Sequence, residues 1–494
     1  MRAPFLILSL PLLAVLLASE VEARNFEQVR YALYLDPHAE VVPDLEQLAK
    51  LGDHRAQRLL GDILAERDPA GASRVLELYR QAFAGGRGEI SALAAMARYL
   101  GQRPRLRQQH RAEVAEGLTR YRHDRDPVNV LATLEVFNAY PELFESAAVE
   151  HLISRYERAC IENCLTLLYR GRLAEHQGNH ELAESLYRQA ALQDPRAIEA
   201  LYRVMGKDVA LKFRSFARDA SPRIASLPIE VVHRIGLHLA NTSNALANEW
   251  VYTRQSVIGE VEIPDAEQLA AAEAAQRAQD AMIDELDREI LYWLDHAVAR
   301  GYTPAMSTKA SFMMAGNNRF SSEAVEHLLR QLESTETARS SAGEHYQDRV
   351  GPQRIKALWA SYYMVNWLTM NPTKAHGLIR ELIEEGYDDA RLMEGDLYSR
   401  GLLDEPDQAR ALGIYGQMAE RGWASAHLRI ARLNTYGRAM RGDFVTAYSH
   451  ARAALELGDL RAEGLVNFLE QRLPATLLEQ GNAMTEQMLR NSVL

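Results

Sequence analysis

Gly422 and Ala426, in the stretch GWASA, stand four residues apart, and the same spacing returns at Gly386/Ala390 and Gly458/Ala462. These three copies lie 36 residues apart, and Gly52/Ala56 and Gly88/Ala92 repeat the interval far upstream. A glycine enters the left-handed region past a helix C-terminus without a Cβ clash, so each copy predicts the end of one helix. The alanine then falls inside the next helix, where a small side chain lets two backbones cross closely. Between copies the apolar residues keep helical spacing: Leu428, Ala431 and Leu433 form one stripe, and Ala447, Ala451, Ala454 and Leu455 a second. Each period therefore holds two helices. The fold predicted is all-α, an α-solenoid or superhelix of stacked helix-pair repeats. Gly301/Ala305 adds a copy, and QDPRA, ending at Ala197, keeps the alanine while losing the glycine.

Texture divides the chain further. Residues 1–23 read as a secretory signal: Arg2 supplies a basic start, Phe5 to Ala18 an apolar run, and Val21-Glu22-Ala23 a small-residue site with cleavage after Ala23. Residues 24–206 carry repeat fragments, two of which contain LYRQA, at Tyr79 and at Tyr187. An irregular helical segment is expected over 207–287, including the alanine- and acid-rich helix AEQLAAAEAAQRAQDAMIDEL as an exposed spacer. Strong repeats return over 288–474, with Glu333 to Arg354 read as a loop or insertion and 475–494 as a C-terminal tail.

The 494 residues carry a formal charge of −11 with no Lys/Arg-rich run, which argues against nucleic acid as a partner. With an export signal, the two cysteines, Cys160 and Cys164, point to a disulfide. On an unbroken helix their Cβ atoms would stand about 5–6 Å apart, against about 3.8 Å in a disulfide. The bond therefore needs a helix break at Glu162-Asn163. Two buried free thiols are the other reading. No zinc pair, nucleophile elbow or phosphate-binding loop is written in the chain, so no catalytic residue, cofactor or metal is expected. His427, Asn434, Tyr436 and Arg438 are types a polysaccharide lyase uses, but they are also common on any solenoid surface.

In a repeat solenoid the first helix of each pair lines the concave face. On the helix starting near Ala424, Ser425, Arg429, Arg432 and Tyr436 follow i, i+4, i+7, i+11 spacing away from the apolar stripe, and Asp389, Met393, Asp396 and Arg400 are their equivalents one repeat earlier. These positions are expected to form a polar stripe that docks protein partners, and replacing Arg429, Arg432 and Tyr436 is expected to leave stability nearly unchanged.

The Gly-x-x-x-Ala period resembles Sel1-type repeats, a subclass of the tetratricopeptide superfamily. The order LEQLAKLGDHRAQRLLGDIL, ALAAMARYLGQRPRLRQQHRAEVAEGL, VFNAYPE and CIENCLTLLYRGRLAEHQGN, extending to NFLEQRLPA, resembles the AlgK family of periplasmic repeat proteins in bacterial alginate biosynthesis. That resemblance implies a non-enzymatic scaffold in a polysaccharide-export complex, with an AlgE-like outer-membrane porin and an AlgX-like acetyltransferase as partners. The family's lipidated cysteine has no counterpart in this signal segment, so the resemblance implies membrane association through partners only. A general Sel1-type envelope adaptor and a helical lyase are the alternative readings.

Overall fold

The computed structural model describes residues 24–35, 39, 41–67, 72–84, 90–101, 103–119, 126–159, 166–206, 209–241, 266–315, 319–342, 350–365, 368–436, 443–457 and 459–492. The signal segment, both cysteines, Gly88 and Gly458 lie outside them. Among the described residues every regular element is helical. The N-terminal half comprises α1 (Phe26–Leu35), α2 (Val42–Lys50), α3 (His54–Arg67), α4 (Ala72–Ala84), α5 (Ile90–Gly101), α6 (Pro104–Gln109), α7 (Arg111–Thr119), α8 (Pro127–Ala139), α9 (Ser146–Ala159), α10 (Leu167–His176), α11 (His180–Ala190), α12 (Pro195–Val204) and α13 (Val209–Ala220). After α14 (229–241) follow α15 (Ala266–Ala299), α16 (Thr303–Ala315), α17 (Ser322–Ala342), α18 (Pro352–Val365), α19 (Pro372–Glu384), α20 (Asp389–Ser399), α21 (Gln408–Glu420), α22 (Ala424–Tyr436), α23 (Phe444–Glu456), α24 (Glu463–Glu470) and α25 (Ala475–Ser492).

Most helices pack chiefly on a sequence neighbour, α3 on α4, α10 on α11, α18 on α19, α20 on α21 and α22 on α23, whereas α5 packs mainly on α8 and α25 on α23. The core is accordingly a chain of clusters rather than one centre. It passes from Phe26–Leu78 through Val75–Tyr140 and Val130–Leu173 to a large central cluster, Leu168–Tyr362. Ala357–Leu397, Leu392–Ile430 and Leu428–Leu469 continue it. This is an all-α solenoid of helix pairs.

The turn glycines have the predicted backbone. Gly52, Gly301, Gly386 and Gly422 sit at φ 86°, 77°, 78° and 84°. The alanines four residues on, Ala56, Ala305, Ala390 and Ala426, are fully buried, as is Ala197. The second helix of several pairs starts on a side-chain cap: Asn179, Asn371, Asp407 and Asp443 each accept a hydrogen bond from a backbone N–H of the helix they precede. Such caps typically contribute about 1 kcal/mol each.

Three boundaries differ from the sequence reading. Glu333 to Ala342 is not loop but the last part of α17, in which Glu336 is buried and accepts from the Val350 backbone N–H at 2.8 Å. The division at 287/288 falls inside α15, a continuous helix of 34 residues. No described side chain of α15 up to Glu285 is buried, in keeping with a spacer. From Leu286 onward Ile290, Trp293, Leu294 and Ala297 enter the central cluster. Finally, 475–494 is no loose tail. Helix α25 spans Ala475–Ser492 and packs on α23, burying Leu489 and Thr485. Its buried side is Gly481, Thr485 and Leu489 at i, i+4, i+8, a stripe with one large apolar residue, which hydrophobic periodicity alone does not announce.

Candidate interaction surface

Three of the pairs, α3/α4, α10/α11 and α20/α21, are locked by a contact that the repeat period did not reveal. Gly61 in α3, Gly171 in α10 and Gly395 in α20 lie beneath the rings of Tyr79, Tyr187 and Tyr415 from the following second helix. A Cβ on these glycines would fall 2.8, 2.6 and 2.4 Å from the ring. Each buried tyrosine then donates its hydroxyl to a carboxylate of the first helix: to Asp62 at 2.8 Å, Glu175 at 2.8 Å and Asp396 at 2.5 Å. Burial, followed by the neighbouring carboxylate, pushes all three phenols above their ordinary range. The last pair repeats the device with the order reversed. Gly481 of α25 receives the Tyr448 ring of α23, whose hydroxyl lies 3.1 Å from both Glu470 and Asn482. The signal was present in the sequence: a mid-helix Gly beside or one turn before an acidic residue, followed by the Tyr of LYRQA or of IYGQMA.

The same carboxylates tie successive repeats together. Asp396 receives Arg429 Nε at 2.8 Å and the second terminal nitrogen at 2.9 Å, a two-point pair between α20 and α22. Burial works against the Glu175 carboxylate, but Arg203 of α12 and Arg172 outweigh it and hold the carboxyl at about 2. Glu135 of α8 accepts from Tyr169 of α10 and, at 2.6 Å, from Arg196 of α12. Arg354 of α18 reaches Ser311 of α16 at 3.2 Å. First helices also pack directly on one another, α10 on α12, α16 on α18 and α18 on α20. These contacts join the first helices from one repeat to the next.

The predicted docking residues all lie on α20 and α22 or at their ends, and they separate into two groups. Arg429 and Asp396 bind each other, so they hold repeats together, and the expectation that Arg429 can be removed without cost to stability is corrected. Ser425 is half-buried, its carbonyl 3.4 Å from Arg429, and Met393 is half-buried in a core cluster. Asp389 and Arg400 are exposed and Arg432 is half-exposed. Among the described residues, neither Arg400 nor Arg432 makes an ion pair. The Tyr436 side chain and Arg438 lie outside the described residues.

The candidate lyase group is not assembled on a surface. His427 is 2% exposed and Asn434 6% exposed. His427 Nδ1 meets His450 Nδ1 of α23 at 2.9 Å, so one imidazole donates to the other, and Asn434 donates to the Ile430 carbonyl at 3.0 Å. Burial lowers His427 to about 4; burial and then His427 lower His450 to about 3. These are packed, neutral histidines between two helices.

No protein-family model matches the chain, and no curated protein matches it. Among solved structures, a protective antigen of uropathogenic Escherichia coli displaying an SLR fold aligns over 92% of this chain and 95% of its own, at 16% identity and a TM-score of 0.26. A Sel1 repeat protein from Oxalobacter formigenes aligns over 50% of this chain and 99% of its own, at 14% identity and a TM-score of 0.24. A circular tandem repeat protein covers 95% of this chain and 97% of its own at 14% identity and a TM-score of 0.12. The placement of this chain among helix-pair solenoids rests on its own helix order and packing.

Proposed function

We propose that this chain is a periplasmic scaffold of a polysaccharide-export complex, with alginate as the polymer. It binds an AlgE-like outer-membrane porin and an AlgX-like acetyltransferase through the first-helix face of its C-terminal repeats, and it reaches the periplasm by the signal at 1–23. The observation that carries a binding role is the division of labour on that face. Arg429 and Asp396 are consumed by the fold and Asp389 is drawn to Tyr387, Arg354 and Arg429, whereas Arg400 and Arg432 stand along the same two helices with charge to offer a partner. The choice of polymer and partners rests on the resemblance of the segment order to the AlgK family. Among the described residues no helix is long and apolar enough to cross a membrane.

The test is an Arg400→Glu/Arg432→Glu variant, in which neither position is part of the clamp. Capture of the porin and acetyltransferase and secretion of polymer are expected to fall, with the melting temperature unchanged. Wild-type capture and secretion would show that this face is not the docking surface. Loss of other envelope partners with secretion intact would favour the general adaptor. Cys160 and Cys164 lie between the end of α9 at Ala159 and the start of α10 at Leu167, and we propose that they are bonded in the exported protein. Two alkylatable thiols per folded chain, without reductant, would contradict this.

A further inference from the structure

We propose that the cavity where α13, α14 and α15 meet binds a singly charged carboxylate carried on an apolar or ring-bearing body. The cavity holds about 350 Å³, within the ~300–1,000 Å³ typical of ligand pockets. Its floor is apolar and part of the central core: Ala217, Leu239 and Trp293 are at most 2% exposed.

One wall is a balanced set of charges. Arg214 reaches Glu289 at 2.6 Å and Glu285 at 3.0 Å, and Arg218 reaches the same two carboxylates at 2.6 and 2.9 Å. Two cations meet two anions, which leaves that set of four neutral. Arg288 stands on the same lining as a third cation beside these two carboxylates, attracted to Glu285 at a distance but in ion-pair contact with neither. Its Nε donates to the Asp284 carbonyl at 3.1 Å, and among the described residues its terminal nitrogens make no hydrogen bond or ion pair. Those nitrogens present the fork that a carboxylate accepts.

Beside Arg288, Tyr292 is 42% exposed, with its ring fixed 4.6 Å from the His296 ring. An anionic head on Arg288 would place its attached body between Tyr292 and the apolar floor. A dianion such as a phosphate fits poorly, because only one positive charge is in surplus and Glu285 lies three residues from Arg288 on the helix.

A free small carboxylate and the C-terminal carboxylate of a peptide share this chemistry. The experiment titrates the full chain by calorimetry with N-acetylphenylalanine, its neutral amide, and an acetylated tetrapeptide ending in phenylalanine. The acids are expected to bind at least about tenfold more tightly than the amide, as a charge-assisted pair to arginine requires. Arg288→Met, at an exposed position, should abolish that difference without changing the melting temperature. Tighter binding of the tetrapeptide than of the single residue assigns the site to a chain terminus, and equal binding assigns it to a free carboxylate; either sustains the proposal. Equal affinity for acid and amide, undetectable binding of both acids, or an unaltered Arg288→Met titration would overturn it.

Discussion

Two kinds of glycine occur in one repeat, and they do different physical work. Gly422 has a φ of 84°, in the left-handed region, so it serves backbone conformation. Gly395 has helical neighbours and a tyrosine ring at 2.4 Å from a built Cβ, so it serves packing. Gly422→Ala should therefore cost about 1 kcal/mol, with Gly422→Asn costing less because asparagine tolerates the left-handed region. Gly395→Ala should cost about 1–3 kcal/mol by overpacking, and Gly395→Asn more. Urea unfolding of the four variants, together with Gly395→Ala/Tyr415→Leu, checks this. The double variant is expected to be less destabilised than the sum of its parts, because the clash needs both partners. Strict additivity would show that the ring and the glycine are not coupled.

At the scale of the element, the seam between α22 and α23 carries an acid sensitivity. Folding lowers His427 to about 4 and His450 to about 3 from the ordinary 6.5, so the folded state binds fewer protons than the unfolded one. The stability from this pair is fully present above pH 6.5 and is lost as pH falls through that value toward 4 and below. By pH 5 the loss for His427 alone is about 2 kcal/mol. Hydrogen exchange in α22 and α23 should accelerate between pH 7 and pH 5 beyond the intrinsic pH effect. A His427→Leu/His450→Leu variant should show no such acceleration. Burial holds His233 and His238 on α14 at about 4 as well, so a second acid-sensitive region is expected there and the readout must be local. Uniform exchange at both pH values would refute the assignment.

Over the whole molecule, a chain of neighbour contacts means that damage stays near its source. Helix α25 covers the end of the array, with Tyr448 seated on Gly481 and Thr485 donating to the Ser449 carbonyl at 3.0 Å. Ending the chain after Pro474 should expose α23 and open α22–α24 to proteolysis, while α3–α12 keep their protection. Loss of protection throughout would mean that the array folds as one unit. Unchanged protection in α22–α24 would mean that α25 is dispensable.

What could be read from the sequence was whatever depends on local chemistry at a fixed interval. The turn glycines, the buried alanines beside them and the alternation of helices follow from backbone sterics and side-chain size, which need no knowledge of distant residues. Asp396 and Arg429 were also visible as a polar pair of positions, but their spacing described a helix face and not its occupant. Only the packing of α20 on α22 decided that they spend their charge on each other, leaving Arg400 and Arg432 without an ion-pair partner among the described residues. The same holds for His427, whose type fits a catalytic base and whose position beside His450 buries it. Gly481 and Trp293 gave no periodic signal, because one receives a ring from another helix and the other sits where α13 and α14 close over α15. Local periodicity determined the repeat; contacts between a helix and those of its own and the next repeat determined which polar groups remained available for binding.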